Sequence, residues 1–277
     1  MRPFLRRKPT VRFYFRPSLR TGQTIYGGRP KTVRTARPDT VEAVCGRYVT
    51  VSSPALLAER FHVTDVRPEE LEPSYNVAPR ADVPVVAERH GERVLDVVRW
   101  GLVPFWAKDP KIGDRMINAR AETLVTSNAF KRAFERRRCL VPADGFYEWQ
   151  KLDGKRKQPW FFRRRDGEPL AFAGLWDTWH DRAAGDDAPR LRTCTIITGE
   201  PNDVVAPIHD RMPVMLPESV WDTWLDVDNH DTAALTGLLV PLPAAELEKW
   251  AVSTLVNKAD NNGPELLDPA PEVALPL

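Results

Sequence analysis

Downstream of residue 44, apolar positions come in short runs at 83–87, 94–100, 139–141, 160–162, 170–175 and 191–198, each framed by Gly, Pro, Asp or charged residues. Short runs with such borders predict strands. Asp153-Gly154 and Asp166-Gly167 lie between runs and predict hairpins, because the glycine accepts the positive φ of a tight turn. At 53–61 the pattern changes to helical spacing: Ser53 can cap, Pro54 suits the first turn, and Leu57 and Phe61 are four apart. Further helices are predicted over 128–137, around 219–225 and near 232–239. Strands joined by hairpins, with helices interspersed, predict an α+β single domain around a largely antiparallel, barrel-like β-sheet.

Residues 1–44 have no such pattern. They hold 11 Lys and Arg against 2 Asp and Glu, scattered apolar residues, and prolines at 3, 9, 17, 30 and 38 that interrupt any helix. With no face to bury, this segment is expected to be a basic disordered extension. An organellar transit peptide, a basic arm for nucleic acid and translated upstream DNA from a GC-rich genome are the three readings. Only the last accounts for Val44, since a GTG codon reads as valine internally but as methionine at a start. The expected first residue of the native protein is therefore Cys45. The remaining 233 residues carry 29 Lys and Arg against 36 Asp and Glu, a net charge of −7, and suit a domain over 45–268 with a flexible tail over 269–277.

No apolar run approaches the ~18 residues of a membrane span, so a soluble, cytoplasmic protein is expected. Cys45, Cys139 and Cys194 are odd in number and far apart, which argues against a disulfide framework or a zinc site. Neither metal nor cofactor is expected.

Candidate chemistry centres on Cys45. An internal cysteine is commonly an inert buried residue. An amino-terminal one carries an amine and a thiol on adjacent carbons, a pair that can attack one aldehyde twice and close a thiazolidine ring. Carbonyl chemistry also needs a proton carrier and donors to hold the oxygen. Asn118 and Arg120 offer an amide and a guanidinium, Glu148 lies between aromatics where desolvation would raise its pKa, and His209 offers an imidazole. Bland readings stand beside these: turn or surface residues for Asn118 and Arg120, a packing carboxylate for Glu148, a satisfied structural histidine for His209. His62, His90, His180 and His230 read as surface residues, and Lys131, Arg132 and 136–138 as the solvated face of a helix.

Taken in order, Cys45-Gly46-Arg47-Tyr48, Tyr75-Asn76-Val77-Ala78-Pro79, Trp100-Gly101-Leu102-Val103-Pro104, 118–123, 140–149, Ala173-Gly174-Leu175-Trp176, 208–213 and Val256-Asn257 with Pro264-Glu265-Leu266 resemble the SOS response-associated peptidases, or abasic-site processing proteins. Members begin Met-Cys-Gly-Arg; here Val44 precedes the cysteine. The resemblance implies that an exposed Cys45 captures the ring-opened aldehyde of an abasic site in single-stranded DNA. It implies that Asn118 orients the terminus or the sugar, Glu148 acts as general acid/base, and His209 handles the sugar oxygen or reversal. Arg47, Asn76, Arg120 and Arg211 are implied DNA contacts and Trp106 a base-stacking platform. Self-cleavage ahead of Cys45 would explain the peptidase title. A monomer is expected. An amino-terminal-nucleophile protease acting on other proteins and a non-catalytic single-stranded nucleic-acid binding module remain as alternatives.

Overall fold

The computed structural model describes residues 45–154, 156–185 and 187–270. The basic extension at 1–44 and the tail from 271 lie outside the described residues. Among the described residues there are thirteen strands: β1 (Tyr48–Thr50), β2 (Asp65–Val66), β3 (Ser74–Val77), β4 (Asp82–Arg89), β5 (Glu92–Trp100), β6 (Asn118–Arg120), β7 (Arg138–Ala143), β8 (Gly145–Lys151), β9 (Lys157–Arg164), β10 (Leu170–His180), β11 (Arg190–Gly199), β12 (Met212–Pro213) and β13 (Leu247–Ala251). Four short α-helices accompany them: α1 (Pro54–Arg60), α2 (Lys131–Arg136), α3 (Trp221–Leu225) and α4 (Thr232–Gly237). None of the described helices is long and apolar enough to cross a membrane.

Two sheets share the core. One runs β13-β9-β8-β1-β3; the other runs β12-β11-β10-β7-β4-β5-β2, with β6 added beside β11. A parallel pairing of β5 with β11, Arg99 opposite Thr193 and Trp100 opposite Cys194, joins β11, β10, β7, β4 and β5 into a closed five-stranded ring. The α+β, barrel-like expectation is met. Side chains alternate as the pleat requires: Val83, Val85, Val98, Trp100, Cys139, Val141, Phe172, Cys194 and Ile196 share one cluster with Tyr48, Phe146 and Phe162 of the other sheet. The intervening Val86, Leu95, Leu140, Ala173 and Ile197 belong to a second cluster with residues of all four helices.

Most predicted elements are found, α1 with its Ser53 cap bonded to the Leu56 N–H. Three expectations change. Asp153-Gly154 does join the antiparallel β8 and β9, but Asp166-Gly167 is no hairpin: β9 belongs to one sheet and β10 to the other, so this turn hands the chain across. Arg138, read as solvated, is 3% exposed and donates to the carbonyls of Phe134, Glu135, Trp224, Asp226 and Asn229. Burying a guanidinium is tolerable when its donors are satisfied this fully. The chain at 269–270 is anchored, with Pro269 bridged to Val252 and the Ala270 N–H on the Ala251 carbonyl.

Candidate functional site

Strand register assembles the centre. β1 pairs antiparallel with β8, Tyr48 opposite Phe146, and the Tyr147 N–H reaches the Arg47 carbonyl. The residues ahead of Arg47 therefore run alongside Glu148. Cys45 takes a left-handed backbone, φ 45°, and its main-chain N–H donates to Glu148 Oε1 at 2.7 Å. That conformation is unusual for a residue with a Cβ. Both residues are buried, Cys45 fully and Glu148 at 1% exposure. Burial, and then the nearby Glu148 charge, push the Cys45 thiol well above the usual range, so its sulfur keeps its proton. In the full chain, then, Cys45 is a buried internal residue.

Asn118 and His209 are placed by other elements. β6 carries Asn118 beside Ile196 of β11, and Ile117 just before it belongs to the cluster that contains Cys45. Ile208, which precedes His209, belongs there too. The His209 loop is tied to the Glu148 sheet. Gln150, two residues along β8 and so on the same face as Glu148, donates to the Pro207 carbonyl at 3.3 Å, and Lys249 Nζ donates to the Val204 carbonyl at 2.7 Å. The Lys249 ammonium also lies over the Trp160 ring, and Trp160 Nε1 holds Gln150 Oε1. Sequence reasoning missed Gln150, Trp160 and Lys249, and nothing in their local context marks them. His209 Nδ1 lies 3.1 Å from the Arg211 main-chain nitrogen and 3.1 Å from Asp210 Oδ1.

The expected DNA contacts divide. Arg120 is exposed at the end of β6, and Trp106 is 47% exposed in the loop between β5 and β6. That loop is pinched at its base: Gly101, φ 124°, and Gly113 approach so closely that a Cβ on either would meet the other's carbonyl oxygen at 2.7 Å or less. Arg211 forms a two-pronged pair with Glu122, at 2.9 and 3.0 Å, and donates to the Thr198 carbonyl. Arg47 donates to Asn76 Oδ1 and to the carbonyls of Val256 and Asn257. Asn76 is 4% exposed, and its amide donates to the carbonyls of Val256, Lys258 and Asn261. Its place is not that of a surface contact; the carboxamide is spent on holding the 256–261 segment.

Among the described residues no group of three or more His, Cys, Asp or Glu could hold a metal ion. The arrangement that does exist is a buried main-chain N–H hydrogen-bonded to a buried carboxylate, beside a buried thiol, on a closed-ring α+β fold. The family described as SOS response associated peptidase (SRAP) matches residues 44–259. The abasic site processing protein YoqW of Bacillus subtilis (strain 168) is 42% identical over 226 residues, 81% of this chain and 99% of its own. YedK, the abasic site processing protein of Escherichia coli (strain K12), is 34% identical over 236 residues, 82% of this chain and all of its own. A crystal structure of a Bacteroides thetaiotaomicron protein shares the fold, with a TM-score of 0.73 at 24% identity over 82% of this chain and all of that one. The chain belongs to the SRAP family.

Proposed function

We propose that this protein shields abasic sites in single-stranded DNA by forming a covalent thiazolidine through Cys45. The 2.7 Å contact between the Cys45 nitrogen and Glu148 Oε1 carries the reading. In an intact chain that nitrogen is an amide without a nucleophilic lone pair. In a chain beginning at Cys45 it is an α-amine, which titrates near pH 8 and is partly neutral at pH 7. Such a start would follow from initiation at codon 44 with loss of one residue, or from hydrolysis of the 44–45 peptide bond, which adds one water across it. The 1–44 segment is then dispensable.

The chemistry balances without an oxidant. The amine adds to the aldehyde carbon of the opened sugar, and the carbinolamine loses water to give an imine, with Glu148 taking and returning the proton. The Cys45 sulfur then bonds to the imine carbon while its proton passes to the imine nitrogen. Asn118 orients the terminus or the sugar, and His209 handles the sugar oxygen or assists reversal. Arg120 meets a phosphate, with Trp106 stacking on a base. The products are one thiazolidine and one water.

Incubating abasic single-stranded DNA with the full chain and with a chain beginning at Cys45 tests this. The shorter chain should give an adduct that survives denaturing electrophoresis. An equally fast, equally stable adduct from an uncleaved full-length chain would overturn the amine mechanism.

A further inference from the structure

The chemistry at Cys45 leaves a hollow beside Trp106 unexplained. One wall is the 105–108 stretch and the other is 179–183 at the end of β10; together they enclose about 370 Å³, within the range of small-ligand pockets. Trp179 is fixed, 8% exposed with its indole Nε1 donating to the Ala107 carbonyl. His180 lines the hollow and was expected to be a plain surface residue. Instead its Nε2 is buried with no hydrogen-bond partner among the described residues. Lys108 and Arg182 are exposed cations on opposite walls; the Asp181 carboxylate caps the Ala183 N–H. On the other side of Trp106 a second hollow, about 540 Å³, is lined by Lys108, Lys111 and Arg115.

An exposed indole, an unsatisfied ring nitrogen and two cations match the three chemical parts of a nucleotide: a flat π face, a hydrogen-bonding edge and a phosphate. An apolar ligand would leave the imidazole nitrogen unpaired, at a cost. β11 serves as a ruler to the reactive centre. Trp179 lies opposite Leu191 and Asn118 opposite Ile196, so the two levels are five residues apart, about 17 Å along the strand.

We propose that the hollow between Trp106 and His180 is a base slot for single-stranded DNA. A base a few nucleotides from the abasic site stacks on Trp106 and turns its edge to His180 Nε2, while its phosphates meet Lys108 and Arg182. A neutral imidazole offers either a donor or an acceptor there, so the slot tolerates different bases. The inference rests on the reading of this protein as one that acts on single-stranded DNA.

The test needs no covalent step. The full chain is titrated with fluorescent single-stranded oligonucleotides that carry one unreactive tetrahydrofuran lesion and a second tetrahydrofuran walked through the flanking positions. Removing the base at one position should weaken binding about tenfold, as for loss of a stacked base. That positional effect should vanish in Trp106→Ala and in His180→Ala, with melting temperatures showing that both variants are folded. Binding that is indifferent to every flanking base, or a positional effect that survives His180→Ala intact, would overturn the slot alone. Failure to bind any single-stranded oligonucleotide would overturn it together with the DNA reading.

Discussion

The main-chain nitrogen of Cys45 and the carboxylate of Glu148, 103 positions apart in sequence, are hydrogen-bonded at 2.7 Å inside the protein. The thiol on the same residue is held protonated by burial. In the mechanism proposed above, nitrogen attacks first with a base at hand, and sulfur closes the ring afterwards.

Substitution at Cys45 separates the two steps. Cys45→Ser in a chain that begins at residue 45 keeps the amine, so it should form a labile imine that borohydride traps. Cys45→Ala should behave likewise. A heat-stable, unreduced adduct from either variant, seen on denaturing gels, would place the nucleophile elsewhere.

Glu148→Gln should slow adduct formation by about 10² to 10⁴, the usual worth of a general acid/base. Affinity for undamaged single-stranded DNA should stay unchanged, since Glu148 is buried and meets no phosphate. Single-turnover kinetics beside equilibrium titration would show the split, and a loss of binding with normal chemistry would make Glu148 a structural residue.

Two arginines should fail in different ways. Arg120 is exposed, so Arg120→Ala should lower single-stranded DNA affinity and reduce the slope of log K against log salt by roughly 0.7. Arg47 is bonded to Asn76 and two carbonyls, so Arg47→Ala should cost roughly 1.5–3 kcal/mol of stability in urea titrations. Burial lowers the Arg47 pKa from its ordinary value.

Lys249→Met should disturb His209 at a distance. It removes the bond to the Val204 carbonyl that ties the 200–211 loop to β13. Adduct reversal should slow several-fold while melting temperature and DNA affinity hold, and Lys249→Arg should restore part of the rate.

Alkaline pH should destabilise the fold through its thiols. Burial raises the pKa of Cys45, Cys139 and Cys194. In the unfolded chain these groups ionise near pH 8.5, whereas in the folded protein they do not. Above that pH the unfolded state binds fewer protons, so stability, fully present below it, falls by up to about 1.4 kcal/mol per thiol per pH unit. Urea unfolding from pH 8 to 10 measures the slope, and Cys139→Ala should make it shallower.

Local signals revealed local facts. The Ser53-Pro54 cap and the Leu57/Phe61 spacing mark α1, and apolar runs mark the ring strands, because each of those patterns is complete within a few residues. β8 and β1 escaped notice as strands: much of each is buried on both faces, so neither shows alternation. Asp166-Gly167 announced a turn but not its partners, and Arg138 hides in a charge run although distant carbonyls claim it. Motif resemblance named Cys45, Glu148, Asn118 and His209. The contact between Cys45 and Glu148 depends on the pairing of remote strands, which no window of sequence contains.

The same remoteness bears on selectivity in time. An amine and thiol on one terminal residue would scavenge any small aldehyde the chain met during synthesis. Here the carboxylate arrives only when β8 joins β1, and Asn118 takes its place only beside β11, a strand that also closes the ring on β5. Contacts over such sequence separations form late in folding. On the mechanism proposed for Cys45, reactivity would thereby be deferred until the protein is complete, the nascent chain meeting metabolic aldehydes before its proton carrier is in place.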